Sequence, residues 1–295
     1  MLRFQSPQIG ASLQTFSAPP FQLSSAFPYV GEALFFPCPV WRIWQDADVS
    51  RRKEIKKVKW ISEALLQKVL NGEQLGMNQA ETAASMAYLP EEPGITKSLS
   101  TGRAWEMTER QRVNVDRFTL PEGGQTFFFA LQFFAPDAGL YFLADGPEAE
   151  LDRLESVLRF LGDTGLGADR NSGLGHFWLR ESRHYVPVAP ERASGEYLLS
   201  LYNPDPSEDI PGLASSTAYR LLTRSGWIYS STVGRPPIRV FGEGSYFSQG
   251  PKGRVVHMLN QQTIDRYSLP IGHTAPRDFR AFTLPCAKPA HLEEA

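Results

Sequence analysis

The spacing of apolar residues predicts two helices in the first 161 positions. Residues 51–70 carry six apolar side chains at helical spacing and are followed by Asn71-Gly72, a natural C-cap. Residues 147–161 begin with a proline in the first turn and place apolar side chains on one stripe. Residues 72–118 have weak periodicity, so we expect a long insertion there.

Strand patterns surround the second helix. An aromatic run at 125–134, a turn at 135–139 and residues 140–144 predict a two-stranded hairpin. After the helix, a glycine-rich loop at 162–175 leads to a predicted strand at 176–179. Two strands, a helix, a loop and a strand form the second half of a ferredoxin-like fold, so we expect the α+β class.

The remaining residues predict a second, shorter α+β domain. A proline-bearing linker at 187–190 precedes it. We expect the last ten residues to be a disordered tail. The elements predicted between linker and tail are a strand at 196–202, a helix ending near Arg224, and strands around 227–231, 238–241 and 253–259.

Composition limits where chemistry can reside. With 42% hydrophobic and 12% aromatic residues, the chain is expected to fold. Its net charge of -2 gives no overall basic footprint, so any nucleic-acid site must be local. Cys38 and Cys286 lie far apart without metal-like spacing, which argues against a disulfide framework or zinc site, and no cofactor is expected. No signal peptide or membrane span is visible, so we expect a cytoplasmic protein without a membrane partner.

The glycine-rich loop carries the clearest chemical signal. Glycine permits positive φ and close approach of backbone N–H groups to a phosphate, while the central arginine, asparagine and serine add charge and neutral donors. The alternative is a flexible connector. A dinucleotide site is excluded because its fingerprint follows a strand and opens a helix. The predicted contacts to a sugar-phosphate backbone are Gly165, Gly167, Asp169, Arg170, Asn171, Ser172, Gly173 and Gly175.

Two more groups are candidates for RNA contact. Arg110, Arg112 and Arg117 suit forked phosphate contacts, although a salt-bridged surface strand explains them equally well. A polar and aromatic patch suits stacking on unpaired bases, and burial at the edge of the core is the alternative. That patch consists of Ser24, Ser25, Phe27 and Tyr29.

The loop resembles the signature of the RAMP superfamily of CRISPR proteins. The stretches PFQLSSAFPY (20–29), KKVKWIS (56–62) and RVNVDR (112–117) narrow the resemblance to the fourth subunit of the type III-A Csm complex. The family implies two ferredoxin-like, RRM-like RAMP domains, the first at 1–186 and a degenerate second at 191–285, with a tail at 286–295. Family members open with a strand and a helix, and the pattern of this sequence predicts that its first domain lacks both.

The resemblance also implies the function. Such subunits hold the 5′ handle of the CRISPR guide RNA, dock the large polymerase-like subunit and adjoin the backbone RAMP subunit, without catalysis of their own. Residues 241–254 are similar to the family's second glycine-rich turn, which adds Lys252 and Arg254 to the RNA-binding candidates, with a plain β-hairpin as the alternative.

Two other functions compete with this one. A RAMP endoribonuclease that processes the CRISPR precursor shares the loop and would need His176, or a Tyr/Lys set, as acid and base. A metal-dependent phosphotransferase would need clustered carboxylates, and only the isolated pair Glu208-Asp209 is visible.

Overall fold

The computed structural model describes residues 19–45, 56, 58–76, 87–88, 104–114, 125–167, 169–187, 190–214, 217–228, 233–259, 261–269 and 275–292. In these ranges, strands predominate over helices, which confirms the expected mixture of α and β structure. The α-helices in this part of the chain are 5 to 17 residues long, and none is long and apolar enough to cross a membrane.

An antiparallel sheet of five strands organises the first half, in the order β5-β4-β3-β2-β8. Helix α1 (Glu63–Leu70) packs on β3 and β4 and buries its apolar side. Two very short strands, β1 and β9, pair with each other. The strands so far are β1 (Gln22–Leu23), β2 (Phe27–Val30), β3 (Ala33–Pro37), β4 (Trp60–Ser62), β5 (Ala87–Tyr88), β8 (Ala138–Tyr141) and β9 (Ala144–Asp145).

Of the helix predicted over residues 51–70, Glu63–Leu70 is helical, but Trp60–Ser62 is not. Strand β4 occupies Trp60–Ser62, and its central residue Ile61 pairs with Phe36. Ile61 is fully buried, a position that fits an apolar helix stripe and a central strand equally well. Pairing with β3 decides between them. Residues 51–55 and 57 lie outside the described residues.

The aromatic run Gln125–Phe134 forms strand β7, but its partner differs from the predicted one. It pairs over its whole length with β6 (Trp105–Asn114), from Trp105↔Phe134 to Asn114↔Gln125, while β8 pairs with β2. The predicted hairpin of residues 125–134 with 140–144 is therefore wrong. The true partner lies in the stretch predicted as an insertion, where the weak apolar periodicity is that of an exposed strand.

Helix α2 (Glu148–Thr164) confirms the second predicted helix, but the strand expected after the loop is absent. Residues 176–179 adopt no regular structure, and Trp178 is 91% exposed. Instead of joining a sheet, the Phe177 amide donates to the Gly162 carbonyl at the end of α2. The apolar stripe of α2 is only partly covered, since Val157 and Phe160 are exposed.

The second half combines a small sheet with two ribbons. Strand β10 (Gly195–Leu198) lies between β13 (Tyr246–Phe247) and β16 (Thr283–Cys286). One ribbon pairs β11 (Leu221–Trp227) with β12 (Gly234–Phe241), and the other pairs β14 (Gly253–His257) with β15 (Pro276–Arg280). The helices are α3 (Ile210–Ala214) and α4 (Gln261–Arg266).

Two predictions for this half differ from the structure. The helix expected to end near Arg224 is wrong, because Leu221–Trp227 is strand β11 and pairs with β12. The disordered tail is wrong for residues 286–292. Cys286 ends β16 and is fully buried, and the Ala287 amide donates to the carbonyl of Leu70.

One core cluster contains side chains from both halves of the chain. Trp41 stands edge-on to the rings of Tyr197 and Tyr246, with centroids 5.9 and 6.0 Å away. The Tyr197 hydroxyl donates to the carbonyl of Pro37, and the Val40 amide donates to the carbonyl of Gly244 at 3.0 Å. The boundary predicted between residues 186 and 191 therefore does not separate two independent cores, and the division into domains stays a prediction.

We expect Trp41→Ala to lower the free energy of unfolding by about 3–5 kcal/mol, because it leaves a cavity between the two halves. Chemical denaturation should still show one transition, with Trp178→Ala as a matched control. That exposed tryptophan should change stability by no more than about 0.5 kcal/mol. Separate transitions for the two halves in the Trp41 variant, or equal effects of the two substitutions, would contradict the shared core.

Candidate nucleic-acid interface

The glycine-rich loop is closed at its base by backbone contacts. The Leu166 amide donates to the carbonyl of Gly175 at 2.8 Å. A Cβ on Gly175 would lie 1.9 Å from the Leu166 carbonyl oxygen, and one on Gly165 would lie 2.9 Å from that of Leu174. Both glycines have positive φ. They are therefore required for closure of the loop, whatever the loop binds.

The tip of the loop is open. Gly167 and Gly173 have φ of +94° and +79°, and no atom lies within 4 Å of where their Cβ atoms would stand. Between them, Arg170–Ser172 form one 3-10 turn, preceded by Asp169 in the left-handed region. The loop therefore presents accessible backbone beside the Arg170 side chain, as a sugar-phosphate contact needs.

Arg112 connects the β6–β7 ribbon to this loop. Its guanidinium forms an ion pair with Asp169, lies 3.5 Å from the Ser172 hydroxyl, and sits over the Phe129 ring at 5.5 Å. The structure thus brings together three predicted residues from two distant segments. It also gives Asp169 a specific role, because its carboxylate neutralises Arg112.

The rest of the ribbon carries exposed aromatic and basic residues. Arg110 is exposed and lies opposite Phe129 in the register, as Arg112 lies opposite Phe127. Phe127 is 40% exposed and Phe128 is 68% exposed. Aromatic faces interleaved with arginines suit single-stranded nucleic acid. Arg117 lies outside the described residues.

Both serines of the polar and aromatic patch at residues 24–29 form hydrogen bonds within the protein. Ser24 is buried, and its hydroxyl accepts from the Leu143 amide at 2.8 Å. The Ser25 hydroxyl donates to Glu243 Oε1 at 2.6 Å, and its amide donates to the carbonyl of Leu199. Both serines therefore join segments of the fold.

The aromatic members of the same patch do not form a base-stacking surface. Phe27 is 1% exposed and packs on the rings of Phe36, Trp60 and Tyr141, so its prediction as an RNA contact is wrong. Tyr29 is half-buried, with its ring where a Cβ on Gly139 would stand.

The second glycine-rich turn already holds an anion of the protein itself. The Glu208 carboxylate accepts from the amides of Lys252 at 2.7 Å and Gly253 at 3.0 Å, from the Asp205 amide at 2.6 Å and from the Tyr202 hydroxyl at 2.9 Å. Burial acts to raise the pKa of Glu208, but these backbone donors outweigh it and the pKa is lowered. The backbone at this turn is therefore occupied.

The side chains at this turn differ in availability. Lys252 is exposed, whereas the Arg254 Nε donates to the Asn203 Oδ1 at 2.8 Å. The role of Glu208 was missed in the sequence, where it belongs to an isolated acidic pair. Only its contact with the Asp205 amide is local, and no local signal could have found its role at this turn, because Lys252 and Gly253 lie 44 and 45 residues away.

The residues required by the competing chemistries are dispersed. In the described ranges, no group of three or more His, Cys, Asp or Glu could hold a metal ion. His176 is exposed beside the loop, on an irregular segment. Cys38 and Cys286 are free thiols, and burial raises the pKa of each to about 12, as expected of structural cysteines.

Two family models match the chain. Residues 89–178, which include the glycine-rich loop, match the RAMP superfamily, and residues 191–274 match the CRISPR Csm4 C-terminal domain. A protein from Mycobacterium tuberculosis (strain CDC 1551 / Oshkosh), "CRISPR system Cms protein Csm4", is 28% identical over 80% of this chain and 72% of its own length. One of the same name from Thermococcus onnurineus (strain NA1) is 24% identical over 79% and 72%.

Solved structures show the same fold. A crystal structure of a Csm1-Csm4 cassette in complex with pppApA gives a TM-score of 0.56 at 19% identity, over 92% of this chain and 80% of that one. A Csm3-Csm4 subcomplex of the type III-A CRISPR-Cas interference complex also gives 0.56, at 17% identity, over 91% and 84%. The loop and the first match define a RAMP-superfamily protein. Together with the second match and the named relatives, they make the chain similar to the Csm4 proteins over both matched segments.

We expect Gly175→Ala to open the loop and Gly173→Ala to leave it closed. The two glycines have nearly the same φ, +77° and +79°, so both substitutions carry the same backbone strain of about 1–2 kcal/mol. Only Gly175→Ala adds the clash with Leu166. Hydrogen exchange at the Leu166 amide should speed up in that variant alone, and equal exchange in both would contradict closure by packing.

We expect Glu208→Gln to destabilise the chain by about 1–2 kcal/mol at neutral pH, the lower range for hydrogen bonds to a charged group, since Glu208 is only half-buried. Because folding lowers the pKa of Glu208, its contribution is present above the unfolded pKa and is lost as the pH falls through the folded one. Thermal melts of wild type and variant should therefore converge on acidification. Glu191→Gln, at an exposed site, is the control. A difference in melting temperature between wild type and Glu208→Gln that stays constant at all pH values would exclude this role of the Glu208 carboxylate.

Proposed function

We propose that the chain is a non-catalytic subunit of a type III-A CRISPR interference complex. In this role it binds the 5′ handle of the guide RNA and docks the large polymerase-like subunit, next to the backbone RAMP subunit. The observation that carries the proposal is the open tip of the glycine-rich loop beside Arg170, in a chain similar to the Csm4 proteins. We expect it to act in the cytoplasm, without a membrane partner.

The proposed RNA contact follows the ribbon and the loop. The ion pair between Arg112 and Asp169 joins the β6–β7 ribbon to the glycine-rich loop. Arg110 and Phe127 belong to this ribbon, so they are connected to the tip of the loop through that ion pair. Arginine forks and open glycine backbone suit phosphates, and the exposed rings suit unpaired bases. Asn171 and Ser172 remain proposed neutral donors of the tip.

Exposed apolar side chains support a role in an assembly. Trp178, Val186 and Phe160 are 91%, 84% and 69% exposed. Large apolar patches on a monomer usually mark surfaces that a partner covers. The solved relatives, which are complexes with Csm1 and with Csm3, suggest which partners these are. We propose that the halves correspond to two ferredoxin-like RAMP domains, 1–186 and 191–285, the second degenerate.

A RAMP endoribonuclease is the second candidate. It is favoured only by His176, which is exposed and directly follows Gly175, the last positive-φ glycine of the loop. General acid-base cleavage needs a second group within hydrogen-bond reach of the substrate, and no side-chain hydrogen bond of His176 is found among the described residues. We therefore favour binding without cleavage.

Co-purification from the native host distinguishes the two candidates. A tagged chain that recovers guide RNAs sharing a repeat-derived 5′ end, together with a large polymerase-like subunit, supports the proposed function. A free chain that cuts repeat RNA without metal, and loses this activity as His176→Ala, would replace it with the endoribonuclease.

We expect Arg170→Ala to weaken binding of handle-bearing RNA and to lower the slope of log K against log salt by roughly one, because one phosphate contact is lost. The matched control is Arg159→Ala, on α2, whose guanidinium pairs with Glu155. Fluorescence anisotropy at several salt concentrations measures both. An unchanged slope would remove Arg170 from the interface.

A further inference from the structure

Arg224 and Arg235 lie on paired strands, where Gly226, two residues after Arg224, is opposite Arg235, and Arg277 of the other ribbon lies within electrostatic range of both. Arg224 is on β11, Arg235 on β12 and Arg277 on β15. Partial burial lowers the pKa of Arg277, and the positive charges of Arg235 and Arg224 lower it further. Two different ribbons therefore bring like charges into one local field, which is unfavourable unless an anion shares it.

Arg235 is held in place by the backbone of the neighbouring strand. The register shifts between Arg224 and Gly226, where a bulge lets Gly226 adopt a φ of +138°. A Cβ on Gly226 would lie 2.5 Å from Arg235 Nη2, so glycine leaves room for the guanidinium. Nη2 donates to the Ser225 carbonyl at 3.3 Å, while Nε is buried and has no hydrogen-bond partner in the described structure.

No carboxylate of the described residues forms an ion pair with these three arginines. Asp278, next to Arg277 in sequence, is bound instead by Arg280 at 2.8 Å. This contrasts with Arg112, whose charge Asp169 neutralises. An empty anion-binding site is expected to have N–H donors without partners and positive charges without counter-ions. The Arg235 Nε and the three arginine charges meet this description.

We propose that Arg224, Arg235 and Arg277, the arginine cluster, bind phosphate groups of single-stranded RNA. An acidic protein segment could also pair with guanidinium groups. RNA is favoured because guide RNA is the ligand of the proposed function, and because the same ribbon carries Trp227, which is 71% exposed and offers a ring for an unpaired base. The inference rests on the proposed function and adds a second RNA contact, with Arg224 and Arg235 in the part of the chain that matches the Csm4 C-terminal domain and Arg277 just after it.

The test compares two double variants of the full chain. Arg224→Ala/Arg277→Ala removes the two exposed members and keeps Arg235 in its strand contact. The control Arg153→Ala/Arg159→Ala removes two exposed arginines of α2 that pair with carboxylates of their own helix. Binding of labelled single-stranded RNA carrying the repeat-derived handle is measured by anisotropy over a range of salt, and melting curves check that both variants fold.

Loss of two phosphate contacts should lower the salt slope by about 1.4–2 in the cluster variant and leave the control unchanged. An unchanged slope in the cluster variant, with a lowered slope for Arg170→Ala, overturns the arginine cluster and leaves the proposed function standing. Absence of RNA binding by the wild type overturns both. Retained RNA binding with lost binding of a polyglutamate peptide would show that the cluster takes an acidic protein segment instead.

Discussion

The contact of Trp41 with Tyr197 and Tyr246 holds the structure together. These rings belong to one buried cluster that also includes Leu65 of α1 and Leu284 of β16, at opposite ends of the sequence. Burial of such large side chains gives most of its stabilisation only when the segments meet without gaps. The five-stranded sheet of the first half and the three-stranded sheet of the second half therefore share one core.

Around this core, two carboxylates of the protein bind groups that an RNA phosphate could otherwise contact. Asp169 neutralises Arg112 beside the glycine-rich loop, and Glu208 accepts the amides of the second glycine-rich turn. Each pairing fixes a loop to a distant strand or turn. Among the described residues, the three arginines of the arginine cluster have no carboxylate of this kind, so they are not neutralised as Arg112 is.

Several elements were predictable because their signals are local. The helix Glu148–Thr164 was expected from a stripe of apolar residues, and the loop after it from the spacing of four glycines, all of which have positive φ. The strand at 176–179 and the hairpin of 125–134 with 140–144 were not formed, because a strand needs a partner and sequence proximity does not choose it. Phe127 lies opposite Arg112 in the β6–β7 ribbon, and the weak apolar pattern of the insertion gave no indication of this strand pairing.

The sequence by itself determined the family resemblance, through the glycine-rich loop and short stretches such as KKVKWIS, and the places where the backbone must turn. Only the tertiary structure decided which candidate residues face a ligand. Phe27 and Ser24 are buried, Arg112 is neutralised, and Arg224, Arg235 and Arg277 come together from separate strands. The physical reason is that burial and electrostatic pairing depend on distances between residues far apart in the chain, whereas turn chemistry depends on neighbours.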